Sequence, residues 1–416
     1  GADRTFSEKL LELSDAGVKV YVGSHPEAIG DAELVVYSSA IHPECEELEF
    51  CRVCNIPTME RHVFLGEISE AFEHTIAVAG THGKTTATSM LAKVVMDASV
   101  PFCAHIGGEA SGIGNFFYSG SRYFVTEACE YRRSLLSLKP YIAVVLNAES
   151  DHPDTYKDLD DLYSTFDAFI ASAKYTVING DTKYYKDRQF CDKSIITFGT
   201  EKNNQYTLTA VTELENGCYS YDLEQFGIPV CHVELGIEGY HNIYNSAAAI
   251  IAASLMRICV PGAAMSIHNF GGVARRFEKL GLCQGALVIS DYAHHPTEIK
   301  AVINTARKKL RKNGKLYAVF QPHTYSRTFS LFSEFLKCFD DTESLVVCKE
   351  YSARETPDMG ISARQLFDNI EHKEKHYYDN ILDAAAYLIE RVLPDDIVLI
   401  LGAGDIDNLG KILLME

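Results

Sequence analysis

The sequence predicts an α/β protein of three domains, each built around a mostly parallel sheet, and three observations carry that expectation. Short apolar runs of strand character alternate with helix-period segments along nearly the whole chain, the pattern of parallel strands joined by crossover helices. At 416 residues the chain exceeds what one hydrophobic core organises, so two or three domains are expected. The stretch Thr75-Ile-Ala-Val-Ala-Gly80-Thr-His-Gly-Lys-Thr-Thr86 runs from a strand into a glycine-framed turn and the start of a helix. The resulting blocks are a Rossmann-like N-terminal domain over residues 1–72, a central domain of the P-loop ATPase type over 73–273, and a Rossmann-like C-terminal domain over 274–416.

In the first block, residues 7–14 and 44–54 read as helices, and Val18-Lys-Val-Tyr-Val22 and Glu33-Leu-Val-Val-Tyr-Ser38 as strands. Such a domain usually opens on a strand and a glycine-rich turn for a nucleotide diphosphate. Gly1-Ala2-Asp3 instead reads as entering a helix, so the opening strand and loop are expected to be missing and the domain truncated.

The central block begins with the phosphate loop. A polyphosphate needs close backbone approach, so glycines replace side chains, and the N–H groups of the loop and helix N-terminus supply partial positive charge. Gly80, Thr81, His82, Gly83, Lys84, Thr85 and Thr86 are therefore the candidate ATP contacts, with Lys84 adding full charge and the Thr85 hydroxyl suited to Mg²⁺. The general G-x-x-x-x-G-K-[ST] form would have glycine where this chain has Val78. Strands follow at residues 123–126, 142–146, 175–178 and 194–198. Alternation over 205–236 suggests antiparallel strands with a turn at Asn216-Gly217, before an alanine-rich helix over 245–256. In the third block, strands are expected at 286–290, 315–320, 344–348 and 396–401 and helices at 297–310 and 329–339.

Composition narrows the partners. Lys and Arg number 38 against 57 Asp and Glu, a net charge of −19, which argues against nucleic acid or an anionic membrane surface. The 12 cysteines lack paired metal spacing except Cys51-Arg-Val-Cys54, and read as reduced, buried thiols. No apolar run reaches the roughly 20 residues of a spanning helix, and no signal-peptide pattern opens the chain, so a cytoplasmic location is expected.

Polar groups after parallel strands mark where such sheets bind ligands. Glu127-Ala-Cys-Glu130 follows the 123–126 strand and Asn147-Ala-Glu-Ser-Asp-His152 the next, so Glu127 and His152 are candidate Mg²⁺ ligands, though each alone also suits a cap or surface position. Asn242 either reads a base edge or caps the helix after it. Arg275-Arg276, at the join of two blocks, could bring a guanidinium to a transferring phosphoryl group. In Asp291-Tyr-Ala-His-His-Pro-Thr-Glu298 the adjacent histidines favour phosphate contacts over a metal, since neighbours point apart. His323 and Arg327 of Gln321-Pro-His-Thr-Tyr-Ser-Arg327 could together hold a carboxylate.

At these residues the chain resembles the Mur ligase family, the ATP-dependent amide-forming enzymes of peptidoglycan synthesis, whose loop form Gly-Thr-x-Gly-Lys-Thr is matched at 80–85. Glu127-Ala-Cys-Glu-Tyr-Arg-Arg133, Asp151-His152-Pro153, Gly271-Gly-Val-Ala-Arg-Arg-Phe277, the motifs at 291–298 and 320–327, and Gly402-Ala-Gly-Asp-Ile406 look like those of the L-alanine-adding member in its Gram-positive form. The resemblance implies that the carboxylate of UDP-N-acetylmuramate attacks ATP to give an acyl phosphate, which the L-alanine amine then displaces. It implies Mg²⁺ on Thr85 and Glu127 with a second ion on His152. It further implies Asn242 at adenine, Asp291 at the ribose, Arg276 at the γ-phosphate, His294 near the acyl phosphate, and Tyr292, His323 and Arg327 around L-alanine. Thr324 stands where the family has a further arginine. Ser38 and the 105–108 turn with His105 are candidate contacts to the sugar nucleotide, which a chain without the opening glycine loop is expected to bind weakly. The alternatives are a recycling ligase that takes a preformed tripeptide, and a nucleotide-binding scaffold without turnover.

Overall fold

The computed structural model describes residues 1–188, 190, 194–353 and 355–415 and divides into two compact units, Gly1–Ala71 and Phe72–Glu416. In the first, Ala2–Asp3 pairs in parallel with Tyr21–Val22, and Val35–Tyr37 with Thr58–Glu60, among the helices Glu8–Asp15, Glu46–Cys54 and Arg61–Glu70. The opening residues are therefore extended, not helical. Gly1 accepts from Tyr21 N–H and Asp3 from Gly23 N–H, and helix begins only after Ser7 at φ −145°. The strand expected from Val18 shortens because Val18 N–H caps the preceding helix at Leu13 O, with Gly17 at φ +88° making the turn.

The second unit holds two sheets. The larger has ten strands, and in spatial order they are Ile228–Glu238, Cys218–Gln225, Tyr206–Glu213, Ile195–Gly199, Tyr175–Asn179, Ile142–Val145, His74–Ala79, Tyr123–Ala128, Phe102–Ala110 and Gly114–Tyr118. Its middle is parallel and both flanks end antiparallel. The phosphate-loop strand His74–Ala79 is buried from Thr75 on, as a parallel strand covered on both faces must be. Over it the helices Lys84–Asp97 and Asn242–Leu255 pack together, and the second is alanine-rich because it is buried nearly all round.

The region of His105 is strand and not a turn. It belongs to Phe102–Ala110, where a side chain at Gly107 would stand 2.8 Å from Glu127 Oε1, so the glycine marks close approach and not a bend. The smaller sheet runs Glu278–Cys283, Ala286–Asp291, Ile397–Leu401, Leu316–Phe320, Ser344–Cys348 and Lys375–Tyr378, parallel apart from its first strand. The helix expected over 329–339 is replaced by two short ones, Tyr325–Ser330 and Phe332–Phe335, broken at Leu331 with φ −110°. The Pro296–Lys309 helix is tied at both ends to the larger sheet's domain. Thr297 donates to Glu149 and Lys308 to Glu213 and Tyr219. Among the described residues no helix is long and apolar enough to cross a membrane.

Candidate active site

The loop after His74–Ala79 is shaped by glycine where only glycine fits. Gly83 has φ +84°, and a side chain there would meet Asn245 Oδ1 at 2.5 Å. Asn147 braces the loop, accepting from His82 N–H at 2.8 Å and donating to His82 O at 3.1 Å, while Thr81 Oγ1 accepts from Glu149 N–H at 2.9 Å. Lys84 Nζ donates to Gly80 O at 2.5 Å, Thr81 O at 3.1 Å and Glu130 Oε2 at 2.8 Å. Thr85 and Thr86 are buried in the first turn of the Lys84–Asp97 helix, at the end whose free N–H groups favour anions.

Glu127 lies within its strand and not in the turn beyond. It accepts from Gly107 N–H at 2.6 Å and from Thr85 Oγ1 at 3.2 Å. These two oxygen donors beside the loop fit Mg²⁺, a hard cation. His152 has its Nε2 3.3 Å from Glu130 Oε1. Glu130 is almost fully buried. Burial opposes its ionisation, but Lys84 and His152 outweigh that and hold the carboxyl below its usual range.

A cavity of about 710 Å³ opens beside the loop, lined among others by His82, Asn242, Arg276, Asp291 and Glu298. Asn242 is the first residue of its helix and does not cap it. Its Nδ2 donates to Glu238 O at 2.6 Å and its Oδ1 accepts from Asn245 at 2.9 Å. Asp291 ends the Ala286–Asp291 strand and accepts from the N–H groups of Phe277 and Ala293, both at 2.7 Å. Burial still pushes its carboxyl up to about 6, which Arg276 and the two N–H groups only partly offset. The paired arginines diverge in role. Arg275 donates to the carbonyls of Gly402 and Gly404, whereas Arg276 lines the cavity with its guanidinium 5.0 Å from the Tyr292 ring centre.

The two domains of this unit meet through ion pairs. His82 Nδ1 lies 3.0 Å from Glu298 Oε1 and its Nε2 3.4 Å from Glu149. Burial opposes charge on this ring, but Glu298 and Glu149 prevail and raise it to about 10. Arg327 donates to Asp151 at 3.0 and 3.3 Å and to His323 Nδ1 at 3.0 Å. Burial opposes charge on Asp151 as well, and Arg327 and His152 hold it far below the carboxylate range. His323 stacks on Tyr351 and lies 5.9 Å, ring to ring, from His294. Burial lowers both rings, His294 to about 4 and His323 to about 3. Thr324 is held at φ +69° by its N–H bond to Tyr351 O, leaving Arg327 as the guanidinium next to His323.

The adjacent histidines do point apart. His294 Nδ1 donates to Tyr292 O at 3.0 Å, whereas His295 Nδ1 accepts Thr297 N–H at 3.2 Å. His82, Glu149 and His295 bring ligand-type atoms within 4.8 Å of one another. The bond from Thr297 makes His295 Nε2 the protonated nitrogen, a donor and not a metal ligand. Of the remaining candidates, His105 meets Thr126 Oγ1 at 3.3 Å, and Ser38 of the first unit accepts from Ala40 N–H at 3.2 Å. The sequence gives Glu130 no place at Lys84 and gives Asp151, Glu149 and Glu298 no role, although all four lie in its strand-end motifs. The available signal was a second carboxylate within each strand-end motif.

Family models match in chain order: the Mur ligase family catalytic domain over residues 1–73, the Mur ligase middle domain over 78–253, and the Mur ligase glutamate ligase domain over 275–404. Among curated relatives, the UDP-N-acetylmuramate--L-alanine ligase of Lachnospira eligens is 38% identical, covering 100% of this chain and 92% of its own. That of Clostridium beijerinckii is 36% identical, covering 99% and 91%. Among solved structures, the UDP-N-acetylmuramate-alanine ligase of Thermotoga maritima superposes with a TM-score of 0.85 at 23% identity, covering 100% of this chain and 92% of its own. A murein peptide ligase of Psychrobacter arcticus gives 0.76 at 21%, covering 100% and 92%. With all three models matched in order and relatives this similar over the full length, the chain belongs to the Mur ligase family.

Proposed function

We infer that this chain is an ATP-dependent ligase of peptidoglycan synthesis that joins UDP-N-acetylmuramate to L-alanine in the cytoplasm. One observation carries the reading from the site. An unbroken chain of contacts links the phosphate-loop lysine to the carboxylate-binding arginine: Lys84 to Glu130 at 2.8 Å, Glu130 to His152 at 3.3 Å, His152 to Asp151 at 3.6 Å, and Asp151 to Arg327 at 3.0 Å. A phosphate-activating centre and an amine-binding centre thus share one buried network.

The lactyl carboxylate attacks the γ-phosphate, ADP leaves, and the amine displaces phosphate from the acyl phosphate. Lys84, the loop N–H groups and Arg276 offset charge on the transferring phosphoryl group. Mg²⁺, held by Thr85 and Glu127 with a second ion at His152, would neutralise further phosphate charge. Asn242 and Asp291 place adenine and ribose in the cavity. Arg327 and the neutral His323 ring take the amino acid's carboxylate, with Tyr292 beside them. Because Tyr292 O fixes His294 Nδ1 as a donor, the neutral His294 ring offers a lone pair at Nε2, suited to an N–H of the incoming amine. His105 is assigned to the sugar nucleotide.

The test is phosphate release from ATP with UDP-N-acetylmuramate and either L-alanine or the tripeptide L-Ala-D-Glu-meso-diaminopimelate. Release that depends on L-alanine is expected. Preference for the tripeptide would make this a recycling enzyme, and no release with either would favour a scaffold.

A further inference from the structure

Arg327 is itself held from the other sheet's domain. Its Nε donates to Asp151 Oδ1 at 3.0 Å and its Nη2 to Oδ2 at 3.3 Å, while Nη1 donates to His323 Nδ1 at 3.0 Å. Both members of the ion pair are 7% exposed, so little water competes for these bonds. Asp151 is anchored in turn, Oδ1 accepting from His152 N–H at 2.7 Å and Oδ2 lying 3.6 Å from His152 Nε2. The chain of bonds settles the last ring's tautomer. A guanidinium can only donate, so His323 Nδ1 accepts and the neutral ring carries its proton on Nε2.

We propose that Asp151 is a positioning residue for the incoming amino acid: it fixes Arg327 and, through Arg327, the Nε2–H form of His323, so that both present donors to one carboxylate only when the two domains stand together. The proposal rests on the reading of Arg327 and His323 as the amino acid's carboxylate site. Asp151 uses the Nε edge of the guanidinium, which leaves Nη2 a hydrogen to spare for substrate. The opposite geometry, with Asp151 standing in the substrate carboxylate's place, fits less well, because its Oδ1 is already tied to the backbone N–H of its own neighbour His152. Coupling through a side chain of the phosphate-side domain would also make amine binding sensitive to domain closure.

Steady-state kinetics on the full chain test this with Asp151→Asn, Asp151→Glu, Arg327→Lys and the Asp151→Asn/Arg327→Lys double variant, each checked for a native thermal transition. Asp151→Asn is expected to raise KM for L-alanine about tenfold or more while KM for ATP moves less than about threefold. The double variant should be no worse than Arg327→Lys alone, since the two residues act as one unit. Asp151→Glu, which keeps the charge, should recover part of the affinity and guards against a misfolded asparagine variant. An unchanged or lower KM for L-alanine in Asp151→Asn, with Arg327→Lys still impaired, overturns the positioning role. A parallel rise in KM for ATP or in Mg²⁺ requirement overturns it in favour of action through His152. Should Arg327→Lys itself leave KM for L-alanine unchanged, the carboxylate-site reading falls first.

Discussion

The nucleotide end of the site is a cavity whose phosphate loop is braced by glycine and side-chain amides, with Arg276, Asp291 and Glu298 also on its walls, whereas the amine end centres on a buried ion pair drawn across two domains. At the first, Gly83, Asn147 and Asn242 hold the shape through contacts within the domain of the larger sheet. At the second, Arg327 is placed by Asp151, which lies 176 residues away in sequence. A loop braced within one domain can hold its shape before ligand binds. A site built from an ion pair across domains depends on how those domains stand, so the amine end should be the more easily disturbed by changes remote from it.

The largest expected effect separates the two ends by chemistry. Lys84→Ala removes charge from the transferring phosphoryl group in a water-poor loop, and kcat should fall about 10³-fold, on the order of 4 kcal/mol. Phosphate-release assays check it, and a loss below about tenfold would remove Lys84 from phosphoryl transfer.

Next comes the amine end. Arg327→Ala should raise KM for L-alanine about a hundredfold, on the order of 3 kcal/mol, partly because it leaves Asp151 buried without its partner. KM for ATP should change far less, and equal changes in both would indicate a domain-closing role instead. Asn242→Ala is the mirror of this experiment at the nucleotide end. It leaves Glu238 O without its donor and should raise KM for ATP about tenfold with little change for L-alanine.

The same contrast explains what could be read in the sequence. The phosphate loop was legible because its chemistry is local: strand, glycine turn and helix start occupy twelve consecutive residues, Thr75 to Thr86. Glu127 was legible for the same reason, as the end of a strand. Glu130, Asp151 and Glu298 were hidden because their meaning lies in partners 46, 176 and 216 residues away: Lys84, Arg327 and His82. The Phe102–Ala110 strand was masked by Gly107-Gly108, which looks like a turn but serves close approach to Glu127. In the first unit the strands pair over only two or three residues, too few for a period-2 pattern to bound them, and a helix cap consumed the residue expected to begin one.

Proton linkage separates the two ends most finely, because His82 is held protonated while His323 and His294 are held neutral. His82 is raised to about 10 beside Glu298 and Glu149, against about 6.5 unfolded. The native state then holds a proton the unfolded chain has lost, so this stabilisation is complete below about pH 6.5 and declines as pH rises towards 10. His323 and His294 are depressed by burial to about 3 and 4. For them the unfolded chain binds the extra proton as pH falls below about 6.5, so stability is lost on the acid side. Each group contributes at most about 1.4 kcal/mol per pH unit, and His323 alone about 1 kcal/mol between pH 6.5 and 5.5. Urea denaturation across pH 5.5 to 9, compared among the wild type, His82→Asn and His323→Gln, should show His82→Asn flattening only the alkaline limb and His323→Gln only the acid limb. If either substitution flattens both limbs, the rings are not held one protonated and the other neutral, and the division between a charged nucleotide-side histidine and a neutral amine-side one is lost.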